Sequence, residues 1–353
     1  MSIHFSWRLL FSLVGLFKAI VMRYLLCIPL ITSFWSSAAL ASDDAIFAPG
    51  TTLKIEADNG SGGEGPAWDP QRGVLSSGNG HTYVLDRDGR SHIFRKDSGT
   101  NGLLFDGQGR LLACESSLRR ITRTDRDGRT TVLTDRFDGK RFNETNDLTL
   151  DSSGRIYFSD PCYGPRTGKE QFDKRGRLVE AVYRIDPDGS VARIISVSSG
   201  GVERPNGVLV SAGDQYLYVA DNNNNARGGA RKLWRFNLMA NGEVSIASKK
   251  LLYDWGQGRG PDGLKQDIKG RLYVAAGLNK PNSPFEPARD KKGGIYVLSR
   301  EGKMLAFLPV PRDEVTNCAF GGDDLKTLYI TAGGTLFSIR TTTGGRVTWP
   351  VAK

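Results

Sequence analysis

Leu103-Leu-Phe-Asp106-Gly-Gln-Gly109-Arg110-Leu-Leu-Ala113 reads as two short apolar runs folded about an Asp-x-x-Gly-Arg turn. The same scheme returns as Leu148-Thr-Leu-Asp151-Ser-Ser-Gly-Arg-Ile-Tyr-Phe158 and as Asp267-Ile-Lys-Gly-Arg-Leu-Tyr-Val274. Diverged copies begin at Trp68-Asp69-Pro70, at Val210-Ser211-Ala212 and at Phe320-Gly321-Gly322. Asp, Gly and Pro punctuate, while β-branched and aromatic residues fill the runs, which is the signature of a β-hairpin. The turn positions 69, 106, 151, 211, 267 and 322 are 37, 45, 60, 56 and 55 residues apart. Between them lie second hairpins, such as Tyr183-Arg-Ile-Asp186-Pro-Asp-Gly and Tyr296-Val-Leu-Ser299-Arg-Glu-Gly. Six units of two hairpins predict six four-stranded blades, an all-β six-bladed β-propeller. Thr52–Ala57 is placed as the outermost strand of the blade built from 317–340, because an N-terminal strand there hides both sheet edges.

Working outward from the repeat, residues 42–353 contain no linker and no composition break, so one domain is expected. The preceding residues 1–41 are apolar, with Arg8, Lys18 and Arg23 as their only charges, and end in Ala39-Leu40-Ala41. Counted from Met22, they form a signal peptide with a basic start, an apolar centre and a small-x-small cleavage site. Met22 is therefore read as the true start, and export to the periplasm or beyond the cell as the destination. Retention as an uncleaved anchor is the alternative. Each apolar run is shorter than the ~20 residues of a bilayer span, so no stable membrane association is expected after cleavage.

Cleavage removes three bases and no acid, and the formal charge falls from +10 to +7. The remaining Lys and Arg are scattered among acids, which argues against a nucleic-acid partner. Cys114, Cys162 and Cys318 are odd in number, so at least one thiol is expected free, and the apolar settings of Cys114 and Cys318 suit buried, inert thiols. With three His in the whole chain and no Gly-x-Ser-x-Gly, a Ser/His triad has no sequence support. Gly256-Gln-Gly-Arg-Gly260 has no helix behind it and reads as a loop rather than a phosphate cradle. Asn222–Asn225 reads as a solvated loop at a blade edge.

Counting back five residues from each of the six turns gives Glu64, Asn101, Asn146, Asn206, Asp262 and Asn317. All six carry side-chain oxygens, at the point where the innermost strand of each blade begins and the channel opens. Asn and Asp are depleted from ordinary strands. An oxygen-only set of two carboxylates and several amides suits a hard cation. Calcium fits best, because it accepts many oxygens in irregular geometry, and magnesium, manganese and zinc are the other candidates. The bland alternative is a set of strand caps holding water.

The contexts Glu64-Gly-Pro-Ala-Trp68, Asn143-Glu-Thr-Asn146-Asp147, Ile156-Tyr-Phe-Ser-Asp160-Pro-Cys-Tyr-Gly164, Arg204-Pro-Asn206-Gly, Leu217-Tyr-Val-Ala-Asp221-Asn and Gly260-Pro-Asp262-Gly-Leu together resemble the gluconolactonase/senescence-marker-protein (regucalcin) family. The resemblance covers essentially all of 42–353. It implies one catalytic divalent ion, with Glu64, Asn146, Asn206 and Asp262 matching the metal ligands and Asp262 also the acid/base. Asn101 and Asn317 then either stand behind the metal ligands or face the substrate. Some members carry Arg two residues before the Asn-Asp pair; here that position is Glu144, which leaves Arg141 and Asn143 as substrate contacts. Tyr163, Asn222 and Asn279 follow strand ends on the same face and are weaker candidates.

The expected reaction is metal-assisted hydrolysis of a sugar lactone, a small-molecule substrate, with Asp262 moving the proton or attacking directly. Hydrolysis of other lactones or phosphotriesters on the same site is one alternative. A non-enzymatic propeller that binds sugars or proteins around a structural ion is the other. Loops 160–180, 222–232 and 278–292 are expected to set specificity.

Overall fold

The computed structural model describes residues 45–348, so the leader at 1–41 lies outside the described residues. Six four-stranded antiparallel sheets follow one another along the chain. Blade 1 is Glu64–Asp69, Gly73–Gly78, His81–Leu85 and Ser91–Arg95; blade 2 is Leu103–Phe105, Leu111–Glu115, Arg120–Thr124 and Thr130–Thr134. Blade 3 is Leu148–Leu150, Ile156–Asp160, Ala181–Ile185 and Val191–Ser196, and blade 4 is Pro205–Val210, Tyr216–Asn222, Arg231–Leu238 and Val244–Asp254. Blade 5 is Pro261–Gln266, Leu272–Ala276, Gly294–Leu298 and Met304–Pro309. Blade 6 is Val315–Gly321, Thr327–Ala332 and Gly334–Arg340, completed by the N-terminal strand Lys54–Gly62 on its outer edge. The first strands of successive blades touch, and the first strand of blade 6 touches that of blade 1, so the ring is closed.

The hydrophobic core is six separate clusters, each filling the wedge between two neighbouring blades. Side chains alternate across a strand, so a blade buried on both faces sends successive residues into two different wedges. Phe158 packs between blades 2 and 3, whereas Tyr157 beside it packs between blades 3 and 4. This is why the inner strands read as unbroken apolar runs. Outer strands such as Thr130–Thr134 are exposed along much of their length.

The Asp-x-x-Gly-Arg motif has a specific geometry. In the Asp106 turn, Oδ1 accepts the backbone N–H of Gln108 and Arg110 at 2.9 and 3.0 Å, while Gly109 turns the chain with φ +73°. The Arg110 Nε then returns to Asp106 Oδ2 at 2.6 Å. The Asp151 and Asp267 turns close in the same way, with Arg155 and Arg271 returning at 3.0 and 2.6 Å. These turns join the first and second strands, so they lie at the opposite end of the channel from the residues that open each first strand.

After the last strand of blade 6 the chain crosses that far end. Arg346 donates its backbone N–H to Gln266 of blade 5 and its guanidinium to the Val210 carbonyl of blade 4, each at 2.8 Å. Together with Val347 and Thr348, Arg346 lines a cavity of only about 60 Å³ under the first strands. The long second-to-third-strand loops of blades 3, 4 and 5 lie at the other face, where the first strands begin. Among the described residues, no helix is long and apolar enough to cross a membrane.

Candidate functional site

Each first strand begins beside the axis with a channel residue, and in four blades the next residue is glycine. The site depends on those glycines. A Cβ on Gly65 would lie 2.1 Å from the Asn101 carbonyl oxygen, and one on Gly102 would lie 2.6 Å from that of Asn146. A Cβ on Gly207 would stand 2.2 Å from the Asp262 carbonyl oxygen, and one on Gly263 would stand 2.0 Å from the Asn317 side chain. Each of these four blades therefore lays a bare backbone against the channel residue of the next, which helps to draw the six positions into one ring. The Gly102 N–H donates to the Asn146 carbonyl at 2.7 Å and makes one of these contacts a hydrogen bond.

Buried carboxylates hold the loops that enter the ring. Asp160, at the end of the second strand of blade 3, accepts the backbone N–H groups of Asn143 and Glu144, both at 2.8 Å. In blade 4, Asp221 accepts those of Glu203 and Arg204 at 3.1 and 2.9 Å, and the Trp234 indole at 3.1 Å. Each of these carboxylates closes off the second strand of its blade and so sets the loop that delivers Asn146 or Asn206.

At the ring, Asn146, Asn206, Asp262 and Asn317 are buried, while Glu64 and Asn101 keep some exposure. The Asn317 amide donates to Glu64 Oε2 at 3.4 Å, and the Gly65 N–H donates to the same oxygen at 2.9 Å. Burial raises the Glu64 carboxyl well above its usual range, and the neighbouring Asp262 charge raises it further. Asp262 is raised by burial as well, against the pull of Arg259. Two carboxylates that disfavour each other's ionisation in a desolvated place are short of positive charge.

Arg259 supplies part of that charge. Its Nη2 lies 3.2 Å from Asp262 Oδ2 and 2.9 Å from Glu314, and its Nη1 lies 3.6 Å from Glu286. Gly256–Gly260 is the loop between blades 4 and 5 that its composition describes, but Arg259 within it is buried and touches the carboxylate at the heart of the site. Lys265 acts from below, with Nζ 3.3 Å from Asn317 Oδ1, and its charge lowers the buried Asp147 carboxyl that desolvation otherwise raises.

Asp262 Oδ1, Asn146 Oδ1 and Asn101 Oδ1 are buried without a hydrogen-bond partner among the described residues. Each such orphan costs about 1–3 kcal/mol. Among the described residues, no group of three or more His, Cys, Asp or Glu side chains is placed to hold a metal. Any ion at the axis must therefore draw on amide oxygens, and the orphaned oxygens together with the two under-neutralised carboxylates are the donor set a hard cation would need.

The other sequence candidates sit outside the ring. The Arg141 guanidinium donates to the Leu118 carbonyl at 2.8 Å, and its N–H donates to Glu170. The Asn143 amide is fully buried and donates to the carbonyls of Val179 at 2.9 Å and Asp160 at 3.4 Å. Glu144 accepts the N–H groups of Tyr163 and Gly164 and pairs with Lys169 at 2.7 Å. Asn279 donates to the Val310 carbonyl at 2.9 Å. Asn222 is buried, not solvated, and its carbonyl accepts the Tyr163 hydroxyl at 3.2 Å. Tyr163 does reach the ring, where its oxygen accepts the Asn206 amide at 2.9 Å. The three cysteines among the described residues, Cys114, Cys162 and Cys318, are free and buried, and burial pushes Cys162 up to about 11 and Cys318 up to about 12.

With this geometry in hand, the comparisons with known proteins become specific. The family model described as "SMP-30/Gluconolactonase/LRE-like region" matches residues 62–334, from two residues before Glu64 to beyond Asn317. The gluconolactonase of Zymomonas mobilis is 28% identical over 326 residues, covering 86% of this chain and 85% of that protein. The pentonolactonase of Haloferax volcanii is 25% identical over 280 residues, covering 77% of this chain and 81% of the relative. Among solved structures, a gluconolactonase from Xanthomonas campestris superposes with a TM-score of 0.68 at 28% identity, over 84% of this chain and 91% of the other.

Proposed function

This chain belongs to the SMP-30/gluconolactonase/LRE-like family, and on that premise we propose that it is a divalent-metal-dependent hydrolase that opens sugar lactones. The observation that carries the reading is the axial ring, with its two under-neutralised carboxylates and the orphaned oxygens of Asp262 and Asn146. Glu64, Asn146, Asn206 and Asp262 would hold one divalent cation, for which calcium suits the all-oxygen set best. When bound, the ion supplies positive charge where negative charge develops on the lactone carbonyl oxygen.

Asp262 is the proton carrier. It takes a proton from the attacking water as the new C–O bond forms, and returns one to the ring oxygen as the old C–O bond breaks. The product is the open hydroxy acid. Arg259 holds Asp262 Oδ2 and so fixes the orientation of the carboxylate. Asn101 and Asn317 on the ring are the substrate contacts. Arg141 and Asn143, spent on backbone carbonyls, act by shaping the loop that carries Asn146. The apolar leader ending in Ala39-Leu40-Ala41 supports export to the periplasm or beyond the cell.

The test is turnover of a panel of aldonolactones, simple lactones and a phosphotriester by the full chain, with calcium, magnesium, manganese, zinc or a chelator. Hydrolysis of aldonolactones is expected, lost on chelation and restored by the cation. No hydrolysis with any of the metals would overturn the enzyme reading and favour a propeller that binds sugars or proteins without turning them over.

A further inference from the structure

We propose that Tyr163 is a positioning residue for the metal site: its hydroxyl fixes which end of the Asn206 amide faces the channel axis. This rests on the metal reading above. Asn206 can serve a cation only through Oδ1, yet an amide rotated by half a turn presents an NH₂ group of nearly the same shape. Something must break that symmetry.

Tyr163 is the group that does so. A phenol has one hydrogen to give, and here it goes to the Asn222 carbonyl at 3.2 Å, an atom able only to accept. Toward Asn206 the phenol oxygen is left as an acceptor, and it takes the Nδ2 hydrogen at 2.9 Å. With Nδ2 held there, Oδ1 is turned away from Tyr163. Were the amide reversed, two oxygens would face each other with no hydrogen between them.

Tyr163 is itself held from two sides. Glu144 accepts the Tyr163 N–H at 2.8 Å and is paired with Lys169 at 2.7 Å. The Arg204 guanidinium lies 5.2 Å from the centre of the tyrosine ring. Arg204 is bidentate to the buried Glu180 at 2.6 and 3.0 Å, and Glu180 also accepts the N–H of Cys162 next door. Glu144, the position at which sequence resemblance led to an expected arginine, is therefore spent on aiming a tyrosine. This use of Glu144 carries the loop after Asp160 into the site.

Calcium titration by calorimetry on the full chain tests the assignment, with four proteins: wild type, Y163F, N206D and Y163F/N206D. Phe keeps the aromatic ring under Arg204, and Tyr163 is partly exposed, so Y163F folds; a thermal melt without calcium checks this. Loss of a group that orients a metal ligand typically weakens binding by about 10- to 100-fold, and that loss is expected for Y163F in the wild-type background. The carboxylate introduced by N206D has two equal oxygens and nothing to orient, so adding Y163F to N206D should change affinity by less than about twofold. Equal calcium affinity in wild type and Y163F would overturn the proposal, as would the same loss in both backgrounds. A raised KM with unchanged calcium affinity would also overturn it, by making Tyr163 a substrate contact. A wild-type chain that binds no divalent ion would overturn the metal reading together with this one, and is told apart because it is seen before any substitution is made.

Discussion

Asp262 has its two oxygens in different company: Oδ2 is shared with Arg259, and Oδ1 has no partner among the described residues. Asp262→Asn keeps the shape and one acceptor for Arg259 but removes the group proposed to carry the proton. It should lower kcat by about 10²–10⁴, measured at saturating calcium with the calcium affinity determined alongside. Full turnover by a calcium-loaded Asp262→Asn protein would remove Asp262 from the chemistry. Asp262 is legible in the sequence because the turn motif acts as a ruler: five residues back from each turn lands on the axis, and all six residues found there carry side-chain oxygen. Arg259 has no such ruler. It stands in Gly256-Gln-Gly-Arg-Gly260, whose composition describes a turn, and only the packing of blade 5 against the Glu286 and Glu314 loops reveals its burial. Asp147, Glu286 and Lys265 are hidden for the same reason, since their partners are remote in sequence.

The first strands of the blades carry a second signal that hydrophobic periodicity does not register. The glycine after the channel residue is conspicuous in Glu64-Gly65, Asn101-Gly102, Asn206-Gly207 and Asp262-Gly263, but its role needs the neighbouring blade. At Gly207 an alanine Cβ would meet the Asp262 carbonyl oxygen at 2.2 Å, an atom of backbone that cannot swing aside. Blades 4 and 5 would have to part at the axis. Gly207→Ala should therefore cost about 1–3 kcal/mol of stability and lower kcat as well, because the strand it displaces carries Asp262. A thermal melt and a lactonase assay on the same preparation check both, and an unchanged melt would mean that the strands are not in contact there. The hairpins themselves are legible, since Asp-x-x-Gly-Arg encodes its own hydrogen bonds and ion pair within five residues. The loop at 161–180 is not, because Glu144, Glu180 and Lys169 shape it through contacts between separate segments of chain.

At the scale of the whole molecule, closure of the ring is specified by no local motif. The outer strand of blade 6 comes from Lys54–Gly62 and pairs with Gly334–Arg340, nearly the full length of the domain away. The sequence places Thr52–Ala57 there only on the general ground that a propeller must hide its edges. Side chains then set the register: Thr335 and Ser338 donate to Asp58 and Glu56, both at 2.6 Å, and Arg312 pairs with Asp58 at 2.8 Å. Ala57 enters the wedge between blades 6 and 1 beside Trp68, Leu85 and Leu336. Glu64 opens blade 1 two residues after this strand ends, so closing the ring and placing a carboxylate on the axis are the same event. Deleting residues 45–60 should leave Gly334–Arg340 as a bare edge, which invites pairing with other chains, and should loosen Glu64. The expected outcome is self-association on gel filtration, a lower melting temperature and weaker calcium binding. A synthetic peptide of residues 45–60 added in trans should reverse all three by refilling the edge. A shortened chain that stays monomeric with wild-type melting and calcium affinity would show that the ring closes through its wedges alone and that Lys54–Gly62 is only a cover.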